Sequence, residues 1–401
     1  MVAIEYGGLL VVAVAAFVAP LAAGLIPRRL VPPVVLEVIA GIVIGPQVLD
    51  LVHAAGAVDV LYLLGLGFLL FLAGQDVRPE RFRGPAFRLS ALAFAITVAL
   101  AFALAAALRP IASGADLRLL ALALTASSVG VLVPVLRDAG EIETDFGQLV
   151  VISGSVGEFG ALLLLTILFS AQPEPTLVQV AYVVAMGVAA FALALGLKRL
   201  WHTAWLRRVF LSSDESTSQL RVRGAFVVLL LFAGLAHRFG ADALLGAFIA
   251  GIVLTISDQD DRPNQEAYWG KLQAIGYGFL VPVFFVVTGV QMDVRSLASD
   301  PASLALVPLL LVAVCLARGL PALIFRGQLG TRPAVAAGLL QATTLTFPVV
   351  VASVGLDLRL IDRATATALI GAALVSVLVF PAASLALRPW TIEKVSHTPA
   401  H

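Results

Sequence analysis

The chain has 401 residues, of which 60% are hydrophobic and only 13% are charged. A mean hydropathy of +1.01 indicates a membrane protein with many spans and leaves no segment for a sizeable soluble domain. A formal net charge of +1 argues against a nucleic-acid partner, and the single cysteine excludes an intrachain disulfide.

Apolar runs of about 18 residues recur along the chain, each long enough to cross a hydrocarbon core about 30 Å thick. The first run follows Glu5 and precedes Arg28 and Arg29, so we interpret it as a retained span rather than a cleaved signal. The sequence therefore predicts an all-α polytopic membrane protein. The predicted transmembrane helices, about thirteen, are 9–26, 31–48, 58–74, 87–108, 117–136, 147–169, 177–197, 225–237, 242–257, 275–290, 304–324, 333–354 and 363–387.

Basic residues set the predicted orientation. Most of the 26 lysine and arginine residues fall in loops that are cytoplasmic if the N-terminus lies outside the cell and the C-terminus inside. The densest basic segment, Lys198–Arg223, is then a cytoplasmic link. We interpret it as a topology anchor that meets lipid headgroups, with a regulatory site as the alternative.

An internal repeat relates the two halves of the chain. Three short motifs recur in the same order, displaced by 210 to 217 residues. This offset carries each motif across seven predicted spans, an odd number, so the two copies have opposite orientations in the bilayer. Inverted repeats of this kind are typical of secondary transporters. The matched motifs are Ile39–Val43 with Ile249–Val253, Gly67–Leu69 with Gly278–Leu280, and Asp76–Arg78 with Asp293–Arg295.

The repeat predicts how a single transmembrane transporter unit, 1–401, is organised. The first inverted repeat covers 9–169 and the second covers 225–387. Between them, 170–224 is expected to form a linking helix and the basic cytoplasmic loop, and 388–401 a short cytoplasmic tail.

The fifth and twelfth spans carry matched polar clusters and prolines. Pro134 and Pro348 stand 214 residues apart, in step with the repeat. Because proline removes a backbone donor and disrupts the helix one turn earlier, both spans are predicted to be discontinuous, with carbonyls free to meet a cation. The alternative is that each hydroxyl bonds back to its own helix. The predicted cation-binding side chains are Thr125, Ser127, Ser128, Gln341, Thr343 and Thr344.

Glu158 is the only ionisable residue between Leu149 and Phe169, in the sixth span. An acidic side chain at the centre of a spanning helix costs roughly 2.5 to 3.5 kcal/mol on insertion scales, so it is typical of ion or proton pathways. Ser155 precedes it by three residues and shares its helix face. We predict that Glu158 carries a proton or a metal cation, Na+ or K+, and that Ser155 helps to bind the cation. A structural carboxyl, held protonated or paired, is the alternative.

Two further charged residues lie within predicted spans. Arg318, the only charged residue of the eleventh span, either snorkels to the cytoplasmic interface or acts as a charge partner of Glu158 or of freed carbonyls. Glu37, in the second span, is expected either to line a funnel through which ions reach the site or to be paired near the surface.

Other chemistry is largely absent from the sequence. It contains no phosphate-binding glycine loop, no metal-ligand cluster and no nucleophile motif. It therefore suggests neither an enzyme nor a cofactor, apart from the transported ions.

Four segments carry family motifs: Leu30–Pro46, Phe68–Gly74, Leu245–Gly251 and Pro282–Gly289. In this order, along nearly the whole chain, they resemble the monovalent cation:proton antiporter family. The resemblance is to its second branch, which contains bacterial Na+/H+ and K+/H+ exchangers.

The resemblance implies the sodium/proton antiporter fold, with two inverted repeats and crossed discontinuous helices, in the cell inner (cytoplasmic) membrane. It also implies a homodimer in which each protomer has a mobile core domain around the crossed helices and a more static dimerisation domain. Transport would follow an elevator-like alternating-access cycle. From the order of the motifs along the chain, the resemblance places the family's ion-binding acidic pair at Gly157 and Glu158, and its basic core residue at Arg318.

The chain departs from the family in two places. Family members usually have Asp-Asp or Asn-Asp where this chain has Gly157 and Glu158, so a one-for-one, electroneutral exchange is predicted. The family's Gly-Glu-Phe-Ala pattern in the second crossed helix is replaced by Thr344–Phe347.

We therefore expect a proton-coupled antiporter for a small monovalent cation, with Glu158 as the shared carrier. Two alternatives stay open on the sequence alone. One is a transporter of the same fold for another small solute. The other is a non-transporting membrane sensor or assembly subunit built on an altered antiporter scaffold.

Overall fold

The computed structural model describes residues 6–25, 32–75, 84–112, 114–169, 219–238, 243–257, 262–299 and 301–387, with isolated positions between 170 and 218. Every regular element in these ranges is a helix. The tail 388–401, the motif Asp76–Arg78 and nearly all of the predicted span 177–197 lie outside the described residues.

The α-helices are numbered here in chain order. They are α1 Tyr6–Leu25, α2 Pro33–Ile44, α3 Ala57–Gln75, α4 Gly84–Leu108, α5 Leu117–Ala123, α6 Val129–Asp138, α7 Asp145–Leu168, α8 Leu220–Arg238, α9 Ala243–Ser257, α10 Arg262–Ile275, α11 Val281–Gln291, α12 Val294–Ser299, α13 Pro301–Val314, α14 Arg326–Leu329, α15 Thr331–Ala342, α16 Thr346–Asp357 and α17 Arg363–Leu385. A π turn, Gly276–Leu280, joins α10 to α11, and a second π turn, Cys315–Gly319, follows α13.

Most of these helices suit a membrane. Eight helical stretches of the described residues are long and apolar enough to cross one, and α2 and α9 are shorter apolar helices. The predicted all-α polytopic architecture is confirmed. The eight stretches are Tyr6–Leu25, Ala57–Gln75, Gly84–Leu108, Asp145–Leu168, Ala267–Gln291, Pro301–Leu329, Thr331–Asp357 and Arg363–Leu385.

The chain divides into two compact units, and each draws on both halves of the sequence. The first unit contains Met1–Phe82 and Leu162–Arg295, and the second contains Arg83–Ala161 and Ser296–His401. The repeat boundaries given above, 9–169 and 225–387, stay predictions.

Glycines allow two helix pairs in the first unit to meet backbone to backbone. In the α2–α11 pair, a Cβ added at Gly41 would collide with the carbonyl oxygen of Val286, and one added at Gly289 would collide with that of Val38. The α3–α9 pair has the same construction through Gly74 and Gly251. Small residues of this kind are favoured wherever membrane helices approach closely.

The two glycine crossings correspond to each other in the sequence repeat. Gly41 and Gly251 occupy the same place in the Ile-Ala-Gly motif, while Gly74 and Gly289 each lie shortly before Asp-Val-Arg. The repeat therefore relates α2 to α9 and α3 to α11. In each crossing, α2–α11 and α3–α9, one helix comes from the first copy of the motifs and the other from the second copy. This is the packing expected of two interlocked repeats.

In the second unit, the predicted fifth and twelfth spans are both interrupted. The fifth is divided into α5 and α6, and the twelfth into α15 and α16. The prediction of discontinuous helices is confirmed. The buried core around them includes Leu132, Phe146, Val150, Phe325 and Leu340.

Asp116 fixes the start of α5. Its carboxylate accepts hydrogen bonds from the backbone N–H groups of Arg118, at 2.8 Å, and Leu119, at 3.2 Å. Burial raises the pKa of Asp116, but these bonds and the Arg118 guanidinium lower it by more, so it lies below its ordinary value. The cap defines where the first half-helix begins.

The α2–α11 crossing can be tested with two alanine variants. Gly41→Ala should lower the free energy of unfolding by about 1–3 kcal/mol, because its Cβ overlaps the Val286 carbonyl. Gly67, in α3, has no atom within 4 Å of an added Cβ, so Gly67→Ala is the matched control and should not be destabilising. Thermal unfolding of the purified proteins in one detergent measures both. Equal loss of stability in the two variants would contradict the close approach.

Candidate functional site

The two helix breaks of the second unit bond directly to each other. The N–H of Ser128, at the start of α6, donates to the carbonyl oxygen of Thr343, at the end of α15, over 3.0 Å. The hydroxyls of Ser128 and Thr346 lie 3.3 Å apart. The structure thus brings the two predicted polar clusters together at a single crossing.

Ser376, in α17, satisfies the backbone of the second break. Because Pro348 has no N–H, the Thr344 carbonyl one turn earlier lacks its helical donor. The Ser376 hydroxyl lies 2.8 Å from that carbonyl oxygen, and it accepts a hydrogen bond from the Thr344 N–H at 3.1 Å. Sequence reasoning missed Ser376, although the carbonyl freed by Pro348 indicated that some donor was needed.

Arg318 reaches the crossing from the π turn Cys315–Gly319. Pro321 follows this turn and cannot donate to the carbonyl of Ala317, which explains why the regular α-helix ends here. The π turn also lies against α15: a Cβ at Gly338 would be 2.7 Å from the carbonyl oxygen of Gly319. This close approach places Arg318 beside Gln341.

The Arg318 guanidinium is held by side chains from both breaks. Its Nε lies 3.0 Å from the hydroxyl of Ser127, which Nη2 also contacts. Nη2 donates to Gln341 Oε1 at 2.8 Å. Arg318 is only 4% exposed, so it points into the crossing instead of snorkelling to an interface. We call Ser127, Arg318 and Gln341 the arginine network.

The arginine network also reaches α7. Gln341 Nε2 donates to the carbonyl oxygen of Val150 at 2.8 Å, and the Ser127 hydroxyl lies 2.6 Å from the Gln341 carbonyl oxygen. Every polar group of the Gln341 side chain is therefore engaged. The side-chain oxygens of Ser127 and Gln341, which were predicted to bind the transported cation, instead contact the guanidinium of Arg318.

Three glycines bring α7 close to its neighbours. A Cβ at Gly154 would lie 3.1 Å from the side chains of Leu132 and Val129 in α6, and one at Gly160 would collide with Phe94 in α4. A Cβ at Gly157 would lie 2.6 Å from Nη2 of Arg318. The guanidinium thus occupies the space that any larger residue at position 157 would need.

Glu158 follows this glycine and is 8% exposed. Ser155, one helical turn earlier, is 4% exposed, and its hydroxyl has no hydrogen-bond partner among the described residues. The hydroxyl of Thr344 is likewise buried with no partner in that part of the chain. Buried hydroxyls in this state can accept a new partner, since leaving them unpaired is unfavourable.

The other predicted cation-binding hydroxyls are already bonded. Thr125 Oγ1 donates to the carbonyl of Leu122 at 2.7 Å, and Thr343 Oγ1 lies 3.4 Å from that of Leu339. These two threonines bond back to their own helices. Over the ranges that the structure covers, there is no group of three or more His, Cys, Asp or Glu side chains suited to a metal ion.

Glu37 belongs to the first unit, whereas Glu158 belongs to the second. It lies in α2, is 4% exposed, and lines a cavity of about 520 Å³ formed within the first unit. A role for Glu37 in a funnel through which ions reach the site stays a prediction.

Comparisons with known proteins agree with this architecture. Residues 13–386 match the family described as "Sodium/hydrogen exchanger, transmembrane". The chain is 27% identical over 93% of its length to the putative Na+/H+ antiporter YjbQ of Bacillus subtilis, and 24% identical over 83% to Cation/H+ antiporter 18 of Arabidopsis thaliana. It spans 61% of the first relative and 43% of the second.

A solved structure has the same fold. The sodium proton antiporter MjNhaP1 of Methanocaldococcus jannaschii superposes with a TM-score of 0.64 at 16% identity, over 96% of this chain and 98% of that one. The predicted antiporter fold is confirmed. With its family match over nearly the whole length, the chain belongs to the sodium/hydrogen exchanger family.

Proposed function

We propose that this protein exchanges a monovalent cation, Na+ or K+, for H+ across the cell inner membrane. Glu158 binds the proton and the cation in turn. The observation that carries the proposal is a buried carboxyl on α7 next to Gly157, whose neighbour is the fixed charge of Arg318. Membership of the exchanger family supports cation/proton exchange as the reaction class.

The oxygen atoms of Glu158, Ser155 and Thr344 are of the kind that a hard cation binds. Carboxylate, hydroxyl and carbonyl oxygens are the ligands that such ions prefer. Ser155 lies on the same helix face as Glu158, and its hydroxyl, which has no partner among the described residues, is available as a ligand. Thr344 offers a second buried hydroxyl of this kind. We propose that these three residues contribute to the cation site when the carboxyl is ionised.

Ser127 and Gln341 have a different role in this proposal. Their oxygens accept hydrogen bonds from Arg318, so they hold the guanidinium rather than the transported ion. Ser128 joins the two breaks to each other. The polar cluster thus keeps a permanent positive charge at a fixed place beside α7.

Competition for one carboxylate couples the two ion fluxes. A proton and a cation cannot occupy Glu158 together, and exchange follows if only the loaded carboxyl changes sides. Because position 157 is a glycine, the site has one carboxylate there instead of two. We infer a stoichiometry of one cation for one proton, which is electroneutral.

The transport cycle assigns different tasks to the two units. We propose that the second unit, which contains Glu158, is the mobile core domain of an alternating-access, elevator-type transporter. The first unit would be the static part through which two copies form a homodimer. The N-terminus would lie outside the cell and the C-terminus in the cytoplasm, as the distribution of basic residues predicts.

Replacing the carboxyl tests the proposal. Purified wild-type protein in liposomes should dissipate an imposed pH gradient when Na+ or K+ is added. Glu158→Gln should abolish the response, because a neutral amide has no proton to exchange and no negative charge for the cation. Glu143→Gln, the same change at an exposed position before α7, is the matched control and should retain wild-type rates. Exchange that persists in Glu158→Gln would overturn the role of Glu158. A wild-type protein without any cation response would favour another substrate.

The stoichiometry has its own test. An electroneutral cycle moves no net charge, so the initial rate of cation-driven proton flux should be the same with and without an imposed membrane potential. The same liposomes, clamped at different potentials with an ionophore for an ion that is not transported, provide the measurement. A rate that changes with the potential would contradict one-for-one exchange.

A double-mutant cycle can test whether Gly157 provides the space that the Arg318 guanidinium occupies. Gly157→Ala should slow exchange, because its Cβ displaces the guanidinium from Ser127 and Gln341. The double variant with Arg318→Lys should lose less exchange activity than the sum of the two single losses, expressed as free energies. The reason is that lysine lacks the forked group that collides with the new methyl. Gly130→Ala, where an added Cβ meets nothing within 4 Å, is the control. Strict additivity would show that Gly157 does not act through Arg318.

A further inference from the structure

A cavity of about 520 Å³ lies within the first unit, between α1, the N-terminal part of α2 and the start of α11. Its volume falls within the range of small-molecule sites, about 300–1,000 Å³. The proposed exchange at Glu158 assigns no binding step to this cavity, whose residues belong to the first unit. The described residues that line it are Ala13, Ala16, Phe17, Pro20, Pro33, Val34, Glu37, Tyr277–Phe279 and Val281–Val283.

Among the described lining residues, Glu37 is the only carboxylic acid, and none is a lysine, arginine or histidine. The side chain is 96% buried, and its Oε2 has no hydrogen-bond partner among the described residues. A buried carboxyl without a donor is costly, so it favours a ligand that brings one.

Two prolines in the cavity wall, Pro20 and Pro33, reduce the number of backbone N–H donors there. Pro20 lies inside α1 and cannot donate to the carbonyl of Ala16, which is also a lining residue. Pro33, at the first position of α2, likewise has no N–H to offer. The cavity thus presents a carboxyl within walls that are otherwise largely apolar, and the complementary group is a cation with N–H donors.

Aromatic side chains border the cavity where it is exposed. Phe17 is 67% exposed, and Tyr277 and Phe279 are each about half exposed. Aromatic faces attract ammonium groups and also pack against alkyl chains. Exposed apolar residues of α1 continue this border along the helix, namely Leu10, Val14 and Leu21. A ligand dissolved in the membrane would meet this surface first.

We infer that this cavity binds an amphipathic primary amine, whose ammonium group pairs with Glu37 and whose alkyl chain lies along the apolar wall toward Phe17 and Phe279. The ammonium supplies N–H donors to the carboxylate, whose Oε2 has no partner among the described residues. The residues of this cavity belong to the first unit, and Glu158 belongs to the second.

The probe for this site is tritiated n-octylammonium, and the protein is the full chain in lipid nanodiscs, with empty nanodiscs subtracted. Wild-type protein should bind it saturably. Glu37→Gln should weaken binding at least about tenfold, because the charge-assisted hydrogen bonds to the carboxylate are lost. Unlabelled n-octanol, which has the same chain without the charge, should compete poorly. Equal affinity of the wild type and Glu37→Gln would overturn the inference, as would the absence of saturable binding.

Two further variants separate a local effect from a loss of fold. Ala13→Trp fills the cavity from an exposed position of α1 and should block binding while the unfolding temperature stays unchanged. Glu158→Gln should bind the amine as the wild type does, because it changes the ion site alone. Unchanged binding in Ala13→Trp would place the amine elsewhere and refute the site.

Discussion

The second unit is organised around a permanent positive charge in an apolar surrounding. Arginine does not lose its proton under ordinary conditions, so burial of Arg318 requires acceptors at the guanidinium itself. A continuous helix has few to offer, because its carbonyls are bonded within the helix. Two interrupted helices that cross supply them, in the side chains of Ser127 and Gln341 and in the Gln341 carbonyl. The breaks at the crossing and the buried arginine therefore explain each other.

Close approach is achieved by glycine in both units, with different results. At the α2–α11 crossing, Gly41 and Gly289 let two backbones touch, and van der Waals packing of that kind holds membrane helices together. At Gly157 the space left by the missing side chain is filled by a guanidinium. The glycines of the first unit thus allow two helices to pack closely. Gly157, in contrast, lets a positive charge lie against the helix that carries Glu158. A larger residue at position 157 would therefore change the charge distribution and the packing together.

Signals that are local in the sequence predicted a large part of this arrangement. Hydrophobic runs indicated the helices, matched prolines indicated the two breaks, and isolated charges singled out Glu158 and Arg318. Contacts between distant segments could not be predicted in the same way. A single serine in an apolar helix usually bonds back to that helix, so nothing in its own span distinguished Ser376, which also lies 2.7 Å from the Ala373 carbonyl. Only the folded chain distinguishes the Ser127 hydroxyl, which holds Arg318, from the Ser155 hydroxyl, which has no partner in the part of the chain that the structure describes.

The fixed guanidinium gives a simple charge balance to the proposed cycle. With Glu158 protonated, the site carries the single positive charge of Arg318. With Glu158 ionised and a monovalent cation bound, the carboxylate and the cation cancel, and the same positive charge is left. The two loaded states are therefore electrostatically equivalent, and a membrane potential does no net work when one is exchanged for the other. A second carboxylate at position 157 would break this equivalence, because it would add a charge whose titration need not follow the bound cation. In the proposed cycle, Gly157 therefore has two consequences: it leaves room for the Arg318 guanidinium, and it leaves Glu158 as the one carboxylate of the pair.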